Sequence, residues 1–254
     1  MLCPMMRWED VLYSQGFGTR RACRALVWAG LVEVGDEQRP VTDPDAPLPP
    51  EQAGAGWVFW VDGQRWPYQP RAYLMLHKPA GYECSRRPSA WPSVLTLLPA
   101  PLRQRPGGAA AGVQPIGRLD QDTTGLLLLS DDGAFIHRMT SPRHHVPKVY
   151  VVTCKHALDD TQLQRLRAGV VLHDDPRPAV PVGVEPIDAH RLRLTLTEGR
   201  YHQVKRMVAA VGNRVEALHR SAIGPLTLPP DLAPGQWRWL GADEVAALQG
   251  AARS

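Results

Sequence analysis

Four consecutive leucines at positions 126–129 are the feature that most constrains the fold of this chain. Gly125 precedes them and an Asp-Asp-Gly turn follows, so the run predicts a short buried strand. A polar loop at 117–124 leads into this strand and carries Asp120 and Asp122. A loop attached to a buried strand can hold a carboxylate rigidly enough for chemistry. Aspartates also shape turns without any further role, and the residues alone leave both interpretations open.

The amino-acid sequence of this loop resembles the catalytic motif of a known enzyme family. Gly-Arg-Leu-Asp at 117–120 and Asp-Thr-Thr-Gly-Leu at 122–126 are similar to the motif of the RsuA-type ribosomal RNA pseudouridine synthases. The resemblance implies that Asp120 is the catalytic carboxylate. It also implies that Arg118 fills the space left by a flipped base or holds the flanking RNA backbone.

A second segment resembles the next motif of the same family. Lys148 and Tyr150 begin a valine-rich run that predicts a strand. The resemblance implies that Tyr150 lies against the target uracil and is catalytic. On the residues alone, a tyrosine at the start of a strand is more often a half-buried sheet residue.

A basic segment at 198–207 follows a predicted strand at 190–197, in which leucines alternate on one face. Apolar residues recur in the segment at helical spacing, which predicts a helix and leaves Lys205 and Arg206 off its core face. The segment resembles the third motif of the family, in which a basic residue pairs with the catalytic carboxylate and favours its charged form. Position in the motif assigns this role to Lys205, with Arg200 and Arg206 as alternates that are expected to bind RNA.

Residues 1–65 resemble the S4 RNA-binding module, with two short helices and then a strand. Thr19 is the predicted N-cap of the second helix. That helix presents three arginines that the resemblance implies bind RNA: Arg20, Arg21 and Arg24. A solvated helix face is the alternative, and the module holds only 6 Lys and Arg against 9 Asp and Glu. The Pro-flanked segment 64–70 is the predicted joint, which leaves residues 66–254 as the catalytic domain.

Two segments after this joint carry further basic residues. Residues 73–82 predict a strand that leaves into a turn, and they resemble the lysine-proline-glycine entry strand of the family. Lys78 is therefore expected to reach RNA phosphate, although a lone lysine at a strand end is usually only solvated. Residues 85–114 are rich in Pro, Ala and Gly, with one short predicted helix at 93–98. Arg103, Arg105 and the tract 106–112 predict a flexible surface loop.

Charge and hydropathy bound the kinds of partner. The net charge of +4 and the pI of about 9.0 mildly favour a polyanion. Only four of the 29 Lys and Arg residues are lysine, and arginine both binds phosphate through two hydrogen bonds and stacks on bases. A genome rich in Arg, Ala and Pro codons gives the same bias. No apolar run approaches the roughly 20 residues that span a bilayer, and no secretory signal is recognisable, so a cytoplasmic protein without membrane contact is expected.

Neither the cysteines nor the histidines predict a metal site. The four cysteines are far apart and lack C-x-x-C spacing, which is typical of reduced thiols in a cytosolic protein. His144 and His145 are adjacent, and neighbouring side chains seldom bind one ion together. The family resemblance of this segment implies instead that Arg143 contacts RNA. Isomerisation of a uridine requires no oxidation, phosphate or metal, so no cofactor is expected.

The resemblance also implies the fold and the reaction. The expected fold is α+β, with a small S4-like αα-β module followed by a mixed, largely antiparallel sheet that carries the site in a central cleft. The reaction breaks the C1′–N1 bond of uridine, rotates the base and joins it again through C5. Asp120 can add to a carbon or remove the C2′ proton, and the sequence leaves both routes open. The uridine must be flipped out of its helix, at a cost of about a few kcal/mol.

Within the family, the likeness is greatest to members that modify small-subunit RNA. The expected partner is 16S rRNA or a small-subunit assembly intermediate, with uridine 516 as the target by resemblance, and the protein is expected to act as a monomer. The alternatives are the same chemistry on a 23S rRNA uridine and a non-catalytic S4-type RNA-binding assembly factor. A glycoside hydrolase that uses Asp120 with a second carboxylate is a weaker rival, because hydrolysis needs two carboxylates about 5–9.5 Å apart across a bond and Asp122 is too near in sequence to flank one.

Overall fold

The computed structural model describes residues 6–49, 52, 54–107, 111–173 and 175–252. Cys3 and the part of the predicted loop at 108–110 lie outside the described residues. The chain forms two compact units. One comprises Met1–Ala72 with Leu98–Gln114, and the other comprises Tyr73–Leu97 with Pro115–Ser254.

The first unit combines helices with a small antiparallel sheet of order β2-β1-β3-β4. Its elements are α1 (Trp8–Gln15), α2 (Arg20–Trp28), β1 (Val32–Val34), β2 (Arg39–Pro40), β3 (Val58–Val61), β4 (Gln64–Pro67) and α3 (Ala100–Gln104). The predicted cap of α2 is confirmed, because the Thr19 hydroxyl accepts a hydrogen bond from the backbone N–H of Ala22 at 3.2 Å. Cys23 and Val27 of α2 are buried. The start of the Pro-flanked segment interpreted as a joint forms β4, which pairs with β3.

Leu98–Gln114 belongs to the first unit, and the prediction that Arg103 and Arg105 lie in a flexible surface loop is wrong, because Arg103 is in α3 and Arg105 is buried. Arg105 is only 1% exposed. Its guanidinium donates to Gln15 Oε1 at 2.9 Å and to the carbonyl of Gln69 at 2.6 Å. Gln15 is itself fully buried and also bonds the backbone of Gln69. A composition of Pro, Ala and Gly gives no sign of such contacts, because they join residues far apart in the sequence.

The second unit is built on a mixed nine-stranded sheet, whose main path has the order β11-β12-β8-β13-β7-β5-β15. Its elements are β5 (Tyr73–Lys78), β6 (Gln114–Ile116), β7 (Thr124–Ser130), α4 (Gly133–Thr140), β8 (Lys148–Cys154), α5 (Asp160–Ala168), β9 (Val170–Leu172), β10 (Asp175–Ala179), β11 (Gly183–Pro186), β12 (Arg191–Leu196), α6 (Gln203–Ala210), β13 (Val215–Ile223), β14 (Leu226–Thr227), β15 (Trp237–Trp239) and α7 (Ala242–Ala251).

The pairing in this sheet matches the predicted mixed, largely antiparallel arrangement. Along the main path, β13 and β7 are parallel, and the five other pairs are antiparallel. Strands β9 and β10 form a separate two-stranded sheet. The strand order brings the start of β7 beside β13, and β13 beside the start of the valine-rich strand β8.

The leucine run lies inside β7, as predicted. All four leucines at 126–129 are fully buried, and each contributes about 1.5–3 kcal/mol relative to an exposed side chain. Leu126 and Leu128 belong to one core cluster with Phe135 and Met139 of α4. Successive side chains of a strand point to opposite faces, so burial of all four means that both faces of the sheet are covered here. The loop before β7 is therefore attached to one of the best-packed strands of the unit.

The core face predicted for α6 is confirmed. Val204, Met207 and Val208 are buried in one cluster with the alternating leucines of β12. Lys205 lies off this face, and its side chain is 28% exposed. Packing of α6 on the sheet thus fixes the position from which Lys205 extends.

Candidate active site

A cavity of about 890 Å³ in the second unit contains the loop before β7. Its lining comes from segments that are far apart in the sequence and includes residues 116–123, 139–141 and 196–205 with Glu83, Cys84, Ser89, Leu128, Lys148, Tyr150, Leu218, Arg220 and Ile223. Asp120, Tyr150 and Lys205, the three residues expected to be catalytic, therefore line one cavity. A pocket of this size is within the range that binds a small molecule or a single nucleoside.

Two side chains hold the carboxylate of Asp120. Lys205 Nζ lies 3.0 Å from Oδ2, and His202 Nε2 lies 3.4 Å from Oδ1. The Asp120 side chain is 27% exposed, so it is accessible from the cavity but shielded from bulk water on most sides. Each carboxylate oxygen thus has its own partner, which fixes the plane of the carboxyl group.

Lys205 is shared between two carboxylates. Its ammonium donates to both oxygens of Asp122, at 2.7 and 2.9 Å, in addition to its contact with Asp120. Partial burial lowers the pKa of Lys205, but the hydrogen bonds to Asp122 and Asp120 outweigh burial and raise it above the ordinary value. Lys205 therefore stays charged at neutral pH. The Asp122 side chain is 54% exposed, twice the exposure of Asp120.

Lys78 is buried, and the prediction that it contacts RNA phosphate is wrong. Its side chain has no exposed surface. The ammonium, with its three N–H donors, lies within hydrogen-bond distance of four backbone carbonyls, those of Pro79, Asp120, Gln121 and Thr123, at 2.8–3.2 Å. Three of these carbonyls belong to the loop that carries Asp120. Lys78 therefore holds the backbone of that loop from the buried side.

Gly125 allows β13 to approach the start of β7. Its φ of 110° is in the left-handed half of the map, and a Cβ at this position would overlap the backbone carbonyl oxygen of Arg220. Arg220 is 2% exposed, and its Nε donates to the carbonyl of Leu126 at 2.8 Å. Because Arg220 is paired across the sheet with Tyr150, this close approach also fixes the wall of the cavity that carries Tyr150.

Arg220 and His202 are cavity residues that the sequence analysis did not identify. Arg220 is a buried charge in β13, and no motif in the sequence indicates its role. His202 is the N-cap of α6 and has a left-handed backbone, with φ of 47° and ψ of 34°. A non-glycine residue in this region is uncommon and is found preferentially at functional sites. Nothing in the sequence around His202 indicates that conformation.

Lys148 lines the cavity, and its lowered pKa makes the stability of the fold depend on pH. Its Nζ donates to the carbonyl of Val146 at 2.8 Å, and burial, with the nearby charge of Arg220, lowers its pKa from 10.5 to about 8. Between these pH values the unfolded chain retains a proton that the folded chain has lost, so stability rises with pH across this window. Below about pH 8 Lys148 is charged in both the folded and the unfolded chain, so it adds no pH dependence to the stability there.

We expect Lys148→Met to remove that pH dependence. The free energy of unfolding of the wild type should rise relative to that of Lys148→Met as the pH increases from 8 towards 10.5, because only the wild type releases this proton on folding. Urea denaturation at several pH values between 7 and 10 measures the difference. A difference in stability that is constant with pH would contradict the assignment.

The remaining basic residues expected to bind RNA in this unit differ in their surroundings. Arg118 is exposed and lines the cavity, and Arg143 is exposed in a short 3-10 helix, Pro142–His144. The side chain of Arg200 is 16% exposed, and its guanidinium donates to two backbone carbonyls of its own chain. Arg206 donates to the carbonyl of Tyr201 at 3.0 Å. Of the three basic candidates, Lys205 is the one in contact with Asp120.

In the first unit, two of the three arginines of α2 form ion pairs. Arg20 lies 2.8 Å from Glu9, and Arg24 contacts Glu9 at 2.7 Å and Asp45 at 2.7 Å. Hydrogen bonds from these arginines lower the pKa of Glu9 and of Asp45. Arg21 is exposed. The arginine face of α2 is therefore partly neutralised by its own unit, in agreement with the excess of acidic residues there.

The part of the chain that the structure describes holds neither a metal-binding cluster nor a membrane-spanning helix. No group of three His, Cys, Asp or Glu residues there could hold a metal ion. None of the helices described is long and apolar enough to cross a bilayer. Cys23, Cys84 and Cys154 are free thiols.

Comparison with known proteins gives consistent matches. The family model described as RNA pseudouridylate synthase matches residues 72–210. The chain is 49% identical over 176 residues to ribosomal small subunit pseudouridine synthase A of Yersinia pestis, covering 69% of this chain and 72% of that protein. It is 47% identical to the Escherichia coli K12 protein of the same name, over 69% and 73%. A crystal structure of a pseudouridylate synthase aligns with a TM-score of 0.64 and 31% identity, covering 96% of this chain and 99% of that one.

Proposed function

This chain belongs to the RNA pseudouridylate synthase family and is a pseudouridine synthase of the small ribosomal subunit, and we propose that it isomerises one specific uridine of 16S rRNA with Asp120 as the catalytic carboxylate. The observation that carries the proposal is the contact of Asp120 with Lys205 inside a cavity that Tyr150 also lines. Uridine 516 is the proposed target, by the resemblance of the motifs to those of the small-subunit enzymes.

The reaction needs a carboxylate that is charged and fixed. Lys205 Nζ contacts one oxygen of the Asp120 carboxylate at 3.0 Å, and His202 Nε2 lies 3.4 Å from the other, so the carboxyl group is held from both sides. The ionised oxygen either adds to a carbon of the nucleoside or removes the C2′ proton, and both routes release uracil from C1′. Rejoining through C5 then requires loss of the C5 proton, while N1 gains one, so the overall reaction neither takes up nor releases atoms.

Tyr150 is the proposed neighbour of the pyrimidine ring. It lies in β8 between β12 and β13, and it is partly buried with its ring in the cavity wall. A phenol ring in this position stacks on the base, and its oxygen can accept the C5 proton after rotation. Arg118 is exposed at the cavity, where a guanidinium can occupy the gap left in the RNA stack when the uridine is flipped out.

The domain that precedes the catalytic one is proposed to be an S4-like RNA-binding module. The order α1-α2-β1 within residues 1–65 and the arginines of α2 support this assignment. Because Glu9 and Asp45 already engage two of these arginines, RNA binding by this module would require phosphate to compete with the carboxylates. The second unit, Tyr73–Leu97 with Pro115–Ser254, would then supply most of the contacts around the target, and the enzyme is proposed to act as a monomer.

The proposal is tested by incubating the purified protein with unmodified 16S rRNA or with a small-subunit assembly particle. Pseudouridine is detected by carbodiimide treatment and primer extension. We expect one new stop, next to uridine 516. A protein that binds the RNA and produces no stop would contradict the enzymatic proposal, whereas stops found only in 23S rRNA would transfer the same chemistry to the large subunit.

A further inference from the structure

Tyr201 and His202 form an exposed ring stack at the start of α6, beside Asp120. Their ring centroids are 3.8 Å apart and their planes are inclined by 19°. We propose that this pair, the Tyr201–His202 stack, is a platform on which a nucleobase next to the target uridine stacks. The inference rests on the proposed function, because it assigns a contact for the RNA segment whose uridine enters the cavity.

The exposure of Tyr201 is the first argument. Its side chain is 74% exposed, more than any other large hydrophobic residue in the described chain. Aromatic rings contribute most when they are buried, and an open ring face beside a substrate cavity is the arrangement that binds bases of single-stranded nucleic acids. Every base has a π face, so such a ring binds the RNA chain without demanding a particular base.

The backbone conformation that produces the stack is the second argument. Consecutive side chains point to opposite sides of a strand and diverge around a helix, so neighbouring rings do not stack in regular structure. The left-handed backbone of His202 departs from both patterns and brings the two rings together. A conformation that L-residues rarely adopt is retained here at the edge of the candidate active site, where such conformations are concentrated.

Anchoring of the segment is the third argument. His202 is held by Asp120 at 3.4 Å, and the carbonyl of Tyr201 accepts a hydrogen bond from Arg206 at 3.0 Å. One residue further on, Gln203 is 4% exposed and accepts a hydrogen bond from the backbone of Arg200 at 2.8 Å. These contacts fix the platform before RNA arrives, which reduces the entropy that binding must overcome.

The position of the stack defines what it would bind. Tyr201 and His202 line the same cavity as Asp120, and the exposed guanidinium of Arg118 lies in that lining as well. A flipped nucleotide leaves its neighbours in an interrupted stack, and an exposed aromatic ring of the cavity lining can replace the lost partner. The occupant is therefore an unpaired or unstacked nucleobase that flanks the target, held by its ring face.

The test measures binding and turnover of a 16S rRNA transcript by the full-length protein. For Tyr201→Ala we expect the Kd and KM to rise about ten-fold, because one base loses its stacking partner. The value of kcat should change by less than about two-fold, since Asp120 and its partners remain. The dependence of log Kd on log salt concentration should keep its slope, because no phosphate contact is lost.

Two further variants separate the ring from other effects of substitution. Tyr201→Phe keeps the ring and should restore most of the affinity. Ile187→Ala removes another exposed hydrophobic side chain, 42% exposed and outside the cavity lining, and should bind like the wild type. Equal Kd values for Tyr201→Ala and the wild type would overturn the proposal. So would failure of Tyr201→Phe to restore binding, or a salt dependence that becomes shallower in Tyr201→Ala.

This design keeps the inference distinct from the function on which it rests. A wild-type protein that makes no pseudouridine refutes the proposed function, whatever Tyr201→Ala does to binding. A wild type that is active, together with a Tyr201→Ala variant of unchanged Kd and KM, refutes only the platform.

Discussion

Asp120→Asn is expected to lower kcat for pseudouridine formation by about 10³-fold or more, while the Kd for 16S rRNA changes by less than about three-fold. Asparagine has nearly the same shape, so the contacts with Lys205 and His202 lose charge but not space. An amide can neither add to a carbon nor accept the C2′ proton, so both routes are closed. Single-turnover conversion, with pseudouridine read by carbodiimide-blocked primer extension, measures the effect, and filter binding measures the Kd.

Asp122→Asn is the matched control for this experiment. Asp122 lies two residues away and contacts the same lysine, but its side chain is twice as exposed. We expect it to lower kcat by less than about ten-fold, because Lys205 keeps its contact with Asp120. If Asp122→Asn abolished turnover and Asp120→Asn did not, Asp122 and not Asp120 would be the catalytic carboxylate.

Lys78→Met is expected to lower the free energy of unfolding by about 3 kcal/mol, the scale at which removal of one buried partner leaves others unsatisfied. Methionine fills a similar volume but donates no hydrogen bond. The four carbonyls that now contact the ammonium, including the buried contact with Thr123, would lose this partner. Because three of them belong to the loop that carries Asp120, kcat should fall as well, through loss of the geometry of Asp120. Urea denaturation and single-turnover kinetics measure the two effects.

Lys155→Met controls for the removal of a lysine as such. Lys155 is exposed, and its substitution should change the free energy of unfolding by no more than about 0.5 kcal/mol. A Lys78→Met variant as stable as Lys155→Met would show that the buried ammonium is not required to hold the loop. Burial lowers the pKa of Lys78, so the folded chain binds this proton less tightly than the unfolded chain does. Lys78→Met also removes that difference.

The elements with a clear hydrophobic period were predictable from the sequence. The leucines of β7, the alternating leucines of β12 and the apolar face of α6 are all buried where the pattern places them. Each pattern is local, and burial of one face is enough to specify it. The shared cavity of Asp120, Tyr150 and Lys205 was expected from the order of three motifs. That expectation came from resemblance, because no local rule connects residues so distant in the chain.

The burial of several cationic side chains could not be predicted from the sequence. Lys78 and Arg105 were interpreted as surface residues because charged side chains are almost never fully buried unless they are paired. Their partners are backbone carbonyls and an amide from remote segments, which leave no trace in the surrounding sequence. Arg220 was overlooked for the same reason. A basic residue held by carbonyl groups can be recognised only after the chain is folded.

The position of β13 in the sheet determines when the candidate site can be completed during synthesis. β13 pairs with β7 on one side and with β8 on the other, so it separates the strand after Asp120 from the strand of Tyr150. The translating ribosome makes β13 last of the three. Until it emerges and inserts, neither neighbour has its partner along this edge. The part of the sheet that places Asp120 near Tyr150 can therefore be completed only after residues 215–223 have been made and have inserted between β7 and β8.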